Sequence, residues 1–335
     1  MRTLVLGGTS FVGGRLLEHL RAAGDEVTLL NRGSTPPPDG VGQLVADRKD
    51  TASVRAALAG SEWDAVYDVS GFVMAAGGSS FEELVDLLHG RTGRYVFVSS
   101  IMAYAPSGFF PWTEQQPVRD EPASTYGGFK AYAERVLLEA ARDRGFPATV
   151  GRPAAIYGPR NNIYDMEAAM FTRLRRGLPV LLPHGGLVTT SYGHIDDLCS
   201  GLLLLGRHAA AVGEAFNLTG EGVSAAQYVR TLADVVGTEP DVVPVPDAVV
   251  AQLPKLAFGH LFADKHHGVL STDKAQQRLG LAPARDFPTG HRETYEWLCA
   301  SPLADVDTGL ADPLWGAGFD LALERDIAAS LRVPA

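Results

Sequence analysis

The chain lacks several features that mark whole classes of protein. Its 335 residues include two cysteines, Cys199 and Cys299, which provide neither a disulfide framework nor a metal-ligand spacing. No apolar run approaches the roughly 20 residues that a membrane-spanning helix needs. Basic residues are outnumbered, 29 against 39 acidic ones, and the net charge of −10 disfavours a surface for nucleic acid or anionic membrane.

The N-terminal residues 1–6 run directly into glycines, without the small-residue cleavage site of a signal peptide. Together with the composition, this predicts a cytoplasmic enzyme that acts on a small molecule. We expect no nucleic-acid partner, no membrane partner and no metal.

The first informative motif is a glycine-rich turn. Residues 3–6 are typical of a buried strand, and the pattern from about Phe11 to Ala22 predicts an amphipathic helix. Between strand and helix, free N–H groups and the positive helix end face an anion, so the segment predicts a dinucleotide pyrophosphate site. A structural turn without a ligand is the alternative. The expected contacts are Gly7, Thr9, Ser10, Phe11, Val12 and Gly13.

The end of the second predicted strand, 26–30, bears on the choice of cofactor. An acidic residue there would hold a ribose 2′-hydroxyl and repel a 2′-phosphate, and none is present. Asn31 and Arg32 follow instead, and a guanidinium can stack on adenine and pair with a 2′-phosphate. We therefore expect NADP(H) as the preferred cofactor, with NAD(H) as the alternative.

The third and fourth strands end in further candidate cofactor contacts. After the third, 43–45, come Asp47 and Arg48, and Asp47 can accept from the adenine amine. Capping of the next helix by Asp50 or Thr51 is an equally natural use of this segment. The fourth strand, 65–69, leads into residues expected beside the ribose, namely Val69, Ser70 and Gly71.

A fifth strand, 95–99, predicts that Ser100 lies at its carboxyl end. Tyr126 and Lys130 begin a predicted helix and lie on one of its faces, because they are four residues apart. A phenol becomes a base near neutrality only when a neighbouring cation lowers its pKa, and we expect Lys130 to do so. An ordinary helix surface pair is the alternative reading.

Taken in order, these segments resemble the extended short-chain dehydrogenase/reductase superfamily, and within it the NAD(P)-dependent epimerase/dehydratase family. The resemblance includes residues 151–153, 157–159, 192–198 and 272–275, and covers about 300 residues. It implies a catalytic triad of Ser100, Tyr126 and Lys130. It also implies cofactor contacts at Ser99, Tyr126, Lys130 and Pro153, and substrate contacts at Met102, Tyr104, Arg160, Asn161 and His194. The alternative for Arg160 is a surface arginine that faces solvent, and the alternative for His194 is a core histidine with a satisfied hydrogen bond.

The implied architecture is an α/β fold, a Rossmann-type doubly wound parallel sheet with a smaller, interleaved C-terminal substrate lobe. We expect a dinucleotide-binding domain over 1–160 with a returning strand near 214–219, a substrate lobe over 161–302 and an extension over 303–335. The extension contains a predicted amphipathic helix, 321–331, which packs over the substrate lobe or makes a subunit contact. The resemblance implies a homodimer as one form of assembly.

Three departures from the family pattern narrow the expected function. Dehydratases of the family follow the catalytic hydroxyl with Asp-Glu, whereas this chain has Ile101 and Met102, which cannot transfer protons. Epimerases carry two arginines for the substrate diphosphate, and this chain has Thr190 at one position and only Lys265, His266 and His267 near the other.

These features favour hydride transfer at a secondary alcohol or ketone of a sugar-like, possibly nucleotide-linked, substrate. A nucleotide-sugar 4-epimerase that retains its NAD(P) is the alternative within the family. A relative that binds nucleotide or RNA without catalysis, or one that senses the redox state of NADP(H), is the alternative of another class. The long connection 101–125 is expected to shape the substrate pocket, to form a small aromatic core, or both.

Overall fold

The computed structural model describes residues 1–76, 80–163, 166–253, 266–305 and 320–332. Its main sheet has seven parallel strands in the order β10-β6-β5-β4-β1-β2-β3. These strands are β1 (Arg2–Leu6), β2 (Glu26–Asn31), β3 (Gly42–Val45), β4 (Ala65–Asp68), β5 (Tyr95–Val98), β6 (Ala148–Pro153) and β10 (Ala215–Leu218). The predicted doubly wound parallel sheet is confirmed.

Helices cover both faces of this sheet. On one face lie α2 (Thr51–Ala57), α3 (Phe81–Leu88) and α4 (Tyr126–Arg144), and on the other α1 (Phe11–Ala22), α6 (Ile195–Arg207) and α9 (Asp273–Leu279). Successive residues of β5 alternate between the two cores, which is why that strand reads as a continuous apolar run.

The smaller lobe holds the remaining strands and helices. Its strands are β7 (Ala155–Tyr157), β8 (Val180–Pro183), β9 (Thr189–His194), β11 (Gly222–Ser224) and β12 (Val242–Val245), arranged as β11-β9-β7 and β12-β8. Its helices are α5 (Glu167–Arg175), α7 (Ala225–Val236), α8 (Asp247–Val250), α10 (Phe287–Ala300) and α11 (Leu321–Arg332). Since β10 lies beside β6 in the main sheet, the chain crosses between the two lobes more than once.

The C-terminal helix α11 packs on the smaller lobe. Ile327 and Ala328 are buried in the same apolar cluster as β8 and β12. Glu324 accepts from Nε of Arg173 on α5 at 2.7 Å, and both side chains are buried. Of the two expected roles of the extension, packing over the lobe is the one observed for this helix.

In the described part of the chain, no helix combines the length and the apolar character that crossing a membrane requires.

We expect Glu324→Gln to destabilise the protein, because a neutral amide then replaces the buried carboxylate that accepts from the buried Arg173 guanidinium. Loss of one member of a buried pair costs about 3–5 kcal/mol. Urea denaturation gives the free energy of unfolding, and Arg332→Ala, which removes an exposed ion pair of the same helix with Asp241, is the control. Equal effects of the two substitutions would contradict this account.

Candidate active site at the carboxyl edge of the sheet

The carboxyl ends of β1, β4, β5 and β6 share one edge of the sheet. Ser100 follows β5 at this edge, and its Oγ accepts the N–H of Met102 at 3.1 Å, which starts a short 3-10 turn. Tyr126, the first residue of α4, makes a side-chain hydrogen bond with Ser100. Two hydroxyls from distant segments therefore meet where parallel α/β sheets bind their ligands.

Lys130 completes the predicted triad on the next turn of α4. Its Nζ lies 5.4 Å from the centre of the Tyr126 ring and 4.8 Å from that of Phe97. The ammonium donates to the carbonyl oxygen of Val98 at 2.7 Å. The structure thus places Ser100, Tyr126 and Lys130 together, joined through the last residues of β5.

Two glycines explain how the start of α4 packs so closely against the connection that joins it to β5. A Cβ on Gly127 would lie 2.5 Å from the Met102 carbonyl oxygen, and one on Gly128 would lie 2.2 Å from that of Pro122. Thr125 caps the helix by accepting the Gly128 N–H at 3.0 Å. The sequence Tyr-Gly-Gly therefore sets the phenol directly against the turn that follows Ser100.

The expectation that Lys130 lowers the pKa of Tyr126 is wrong for this structure. Burial raises the pKa of Tyr126, and the hydrogen bond with Ser100 only partly opposes it. The reason is geometric, since the ammonium lies over the ring and donates to Val98 rather than to the phenol oxygen. Near neutral pH the phenol therefore keeps its proton.

A buried ion pair that the sequence analysis missed lies beside Lys130. Arg48 donates to both carboxylate oxygens of Asp68, at 2.5 and 2.7 Å, and the Tyr95 hydroxyl donates to the same carboxylate at 2.6 Å. Arg48 also donates to Ser70 at 3.0 Å. The predicted cofactor contact at Arg48 is therefore wrong for its side chain, because the guanidinium is buried and already paired.

This ion pair acts on Lys130 through charge. Burial lowers the pKa of Lys130 to about 8, Asp68 and Glu134 oppose that shift, and Arg48 adds to it. Removing the Asp68 carboxylate therefore lowers the pKa further.

A second buried network fixes α4 to the neighbouring strand. The Ser99 hydroxyl donates to Glu134, and Arg152 on β6 donates to the same carboxylate at 3.0 Å. The Arg152 guanidinium lies 4.5 Å from the centre of the Tyr104 ring, and the Tyr104 hydroxyl donates to Asn217 at 2.7 Å. The Ser99 hydroxyl is therefore already bonded, and a cofactor contact at Ser99 stays a prediction for its backbone. Tyr104, buried at 1% exposure, does not face a substrate, so that prediction fails.

The glycine turn has the shape that a dinucleotide requires. Gly7 has a φ of 89°, and a Cβ there would lie 2.2 Å from Oγ of Ser70. A Cβ on Gly13 would lie 2.2 Å from the Gly7 carbonyl oxygen, so the helix can start close to the strand only with glycine at this position.

The N-terminus of α1 also fits an anion. Thr9 and Ser10 are exposed, and the Ser10 side chain makes no capping bond to the helix. No acidic residue lies in the first turn. The Phe11 side chain is buried and Val12 is half-buried against the same core, so these two residues offer a ligand their backbone. The glycine turn and the N-terminus of α1 therefore have the features that the predicted pyrophosphate site requires.

The remaining cofactor candidates divide into exposed groups and groups already bonded. Arg32 is exposed after β2, whereas Asn31 bonds to Gly33, Thr35 and Gln43 and so closes the loop. Asp47 is exposed and accepts the Lys49 N–H at 3.0 Å, while Asp50 caps α2, as the alternative reading held. The other predicted cofactor contacts lie at the carboxyl ends of β4 and β6; they are Val69, Ser70, Gly71 and Pro153.

The other three candidate substrate contacts bond within the protein, and for His194 the core reading is the one observed. Asn161 is buried and donates to Glu167 at 2.7 Å, which holds the segment before α5. Arg160 forms an exposed ion pair with Glu18 of α1 at 2.6 Å. Nδ1 of the buried His194 accepts the Asp196 N–H at 3.3 Å and caps α6.

Of the predicted substrate contacts, Met102 stays accessible, with 42% exposure, beside Ser100. In the described chain, His194, Asp196 and Glu293 form a group close enough to ligate a metal. We assign no metal to it, because Asp196 is already held by Arg15 and His19.

Residues 3–219 match the NAD dependent epimerase/dehydratase family. The chain belongs to this family. Among its relatives, the chloroplast stem-loop binding protein of 41 kDa b of Arabidopsis thaliana is 30% identical over 88% of this chain and 78% of its own length. A dTDP-glucose 4,6-dehydratase of Streptomyces antibioticus is 28% identical over 95% of this chain and 100% of its own.

A solved structure supports the same fold. The dTDP-glucose 4,6-dehydratase of Bacillus anthracis in complex with NAD superposes with a TM-score of 0.74 at 18% identity, covering 90% of this chain and 97% of its own. Membership of an NAD-dependent family agrees with the glycine turn at Gly7 and Gly13.

We expect Asp68→Asn to move the alkaline limb of the pH–rate profile to lower pH, because the Lys130 ammonium then loses its proton more readily. The change also leaves Arg48 unpaired and lowers the free energy of unfolding by about 3–5 kcal/mol. Glu62→Gln removes an exposed charge on the same domain and is the control. An unchanged alkaline limb would show that Asp68 does not influence the lysine.

Proposed function

We propose that the protein is an NAD(P)-dependent oxidoreductase that transfers a hydride at a secondary alcohol or ketone of a sugar-like substrate. The observation that carries the proposal is the contact of Tyr126 with Ser100 and Lys130 at the sheet edge where the glycine turn opens. Family membership supports the cofactor class. The bound nicotinamide supplies the hydride acceptor or donor.

Each residue of the triad has a distinct task in this proposal. Tyr126 exchanges a proton with the substrate oxygen, and its raised pKa keeps that proton in place for ketone reduction. Ser100 holds the same oxygen through its hydroxyl. Lys130, with a pKa of about 8, adds positive charge near neutrality and holds Tyr126 and β5 at a fixed distance.

Ketone reduction is favoured over water elimination by the residues after Ser100. Ile101 and Met102 carry no ionisable group, so they cannot transfer the protons that dehydration requires. One relative is named as a dehydratase, but the proposal does not include water elimination. Epimerisation begins with the same hydride step and is the second candidate.

We expect Tyr126→Phe to lower turnover by about 10²–10⁴, the contribution of a positioned acid or base, while dinucleotide binding stays unchanged. Tyr132→Phe is the matched control, because its hydroxyl lies on the same helix and bonds to Glu82 on α3. Hydride transfer and cofactor binding are measured by absorbance and by fluorescence titration. Near-normal turnover in Tyr126→Phe would mean that another group handles the proton.

Preference for NADP(H) over NAD(H) is a finer part of the proposal and depends on Arg32. Arg32 is exposed after β2, and its guanidinium has no bond to another described residue. The end of β2 also carries no acidic residue that would repel a 2′-phosphate. Arg48 is not available to a 2′-phosphate, because its guanidinium is paired with Asp68.

Arg32→Ala should raise the KM for NADPH by about 10- to 100-fold and leave that for NADH unchanged, because one charge-assisted bond is worth about 1.5–3 kcal/mol. Arg55→Ala removes an exposed charge from α2 and serves as the control. If both coenzymes respond alike, Arg32 contacts a part that they share.

Cofactor retention separates epimerase from reductase. Protein that is purified with bound coenzyme and works without added nicotinamide is an epimerase, whereas dependence on added NADPH indicates a reductase.

The candidate from another class, a non-catalytic RNA-binding relative, draws support from the stem-loop binding protein. The net charge of −10 opposes it. RNA titration at rising salt tests it, because real phosphate contacts weaken steeply with ionic strength.

A further inference from the structure

The connection 101–125, which leads from β5 to α4, contains a small apolar core. Trp112 is buried with Tyr104, Ala154 and Leu270. The ring centres of Tyr104 and Trp112 lie 5.7 Å apart. The aromatic core expected for this connection is therefore observed, and its part in a substrate pocket stays a prediction.

The two ends of the connection meet beside Ser100. Tyr104 and Val118 form an antiparallel bridge. The N–H of Arg119 donates to the carbonyl oxygen of Ala103 at 2.8 Å, and Ala103 closes the 3-10 turn that Ser100 begins. The chain therefore passes along this turn immediately before it enters α4.

The side chain of Arg119 lies between this turn and the first turn of α4. Its Nε donates to the carbonyl oxygen of Met102 at 2.8 Å, and the N–H of the same Met102 donates to Oγ of Ser100 at 3.1 Å. On the other side, a Cβ at Gly127 would lie 2.9 Å from Cδ of Arg119. Since Gly127 follows Tyr126, one guanidinium contacts the neighbours of both hydroxyls of the candidate site.

Glu121 extends these bonds to the cap of α4. Nη1 of Arg119 donates to Oε1 of Glu121 at 2.6 Å. The Thr125 hydroxyl lies within donor distance of Oε2 of Glu121, at 3.3 Å, and of the Pro122 carbonyl oxygen, at 3.1 Å. The same hydroxyl accepts the Gly128 N–H at 3.0 Å and caps the helix. Hydrogen bonds thus connect the turn after the serine to the cap of the helix that begins with the phenol.

The exposure of this pair favours a local role over a role in folding. The side chains of Arg119 and Glu121 are 20% and 39% exposed, and a surface ion pair contributes little to the free energy of unfolding. A guanidinium is planar, however, and its N–H groups point in fixed directions, so two bonds from it set the relative positions of two acceptors. The pair is therefore suited to fixing the geometry of the segments that it joins.

We infer that Arg119 and Glu121 are positioning residues, which fix the turn after Ser100 against the first turn of α4 and so keep the hydroxyls of Ser100 and Tyr126 in contact. The inference deepens the proposed function and rests on it for any effect on turnover. The contact itself belongs to the protein without a ligand, so it can be measured separately.

Nuclear magnetic resonance of the full chain, labelled with carbon-13 at Cζ of tyrosine, reads the phenol without coenzyme or substrate. Tyr126→Phe identifies the signal, and Ser100→Ala defines the shift that follows loss of the hydrogen bond. We expect Arg119→Ala and Glu121→Ala to move the signal in the same direction as Ser100→Ala. The double variant should move it no further than Arg119→Ala, because either change breaks the same series of bonds.

Two further variants separate position from charge and from stability. Arg119→Lys keeps the charge but not the planar group, and should behave as Arg119→Ala does. Arg142→Ala removes an exposed ion pair with Asp143 in the last turn of α4, and should leave the Tyr126 signal in place. In urea denaturation, Arg119→Ala and Arg142→Ala should change the free energy of unfolding by similar amounts.

Turnover supplies a second measurement. Arg119→Ala should lower kcat by about 10- to 100-fold, because displacement of a reacting group by about 1 Å can cost about 100-fold. The KM for the coenzyme should stay unchanged, since the glycine turn takes no part in this series of bonds.

Four results overturn the inference. They are an unchanged Tyr126 signal in Arg119→Ala, a wild-type signal in Arg119→Lys, an unchanged kcat in Arg119→Ala, and a loss of unfolding free energy in Arg119→Ala well beyond that in Arg142→Ala. A failure of the proposed function is a separate result, since it appears as absent turnover in the unaltered protein while the expected shifts of the Tyr126 signal are still observed.

Discussion

The site depends on the contact between the start of α4 and the end of β5. Lys130 donates to the Val98 carbonyl, Tyr126 bonds to Ser100, and Gly127 leaves room for the Met102 carbonyl. These three contacts set one helix against the end of one strand and bring the hydroxyls of Ser100 and Tyr126 together. A side chain at position 127 would separate the helix from the strand and with it the phenol from the serine.

Buried charge stabilises this arrangement from both sides. Arg48 and Asp68 lie toward the glycine turn, and Glu134 and Arg152 lie toward β6, so Lys130 is between two neutralised pairs. Burial lowers the pKa of Lys130 to about 8, and the carboxylates of Asp68 and Glu134 oppose that shift and keep the pKa from falling further. Lys130 holds the helix in position, and the ion pairs help to determine its charge.

Periodicity and glycine placement predicted the sheet, its helices and the positions of Gly7, Ser100, Tyr126 and Lys130, because each follows from local pattern. The pairing of Arg48 with Asp68 was not predictable in this way, since the partners come from different strands and both resemble ligand contacts in sequence. Glu134 carried a signal that went unused, as it follows Lys130 by four residues and so lies on the same helix face. Tyr104 and Asn161 failed as substrate contacts because burial cannot be read from residue type alone. The homodimer and the division at residues 160 and 302 stay predictions, and 306–319 and 333–335 of the extension lie outside the described residues.

In the proposed site, the turn from Gly7 to Gly13 holds a dinucleotide, and the phenol of Tyr126 faces its nicotinamide. A crystal soaked with NADP⁺ tests it most directly. We predict that C4 of the nicotinamide lies beside the Tyr126 hydroxyl, with room between them for one substrate carbon and its oxygen, and with the pyrophosphate on the N-terminus of α1. A dinucleotide bound elsewhere, or bound with the phenol turned away from its nicotinamide, would contradict the account.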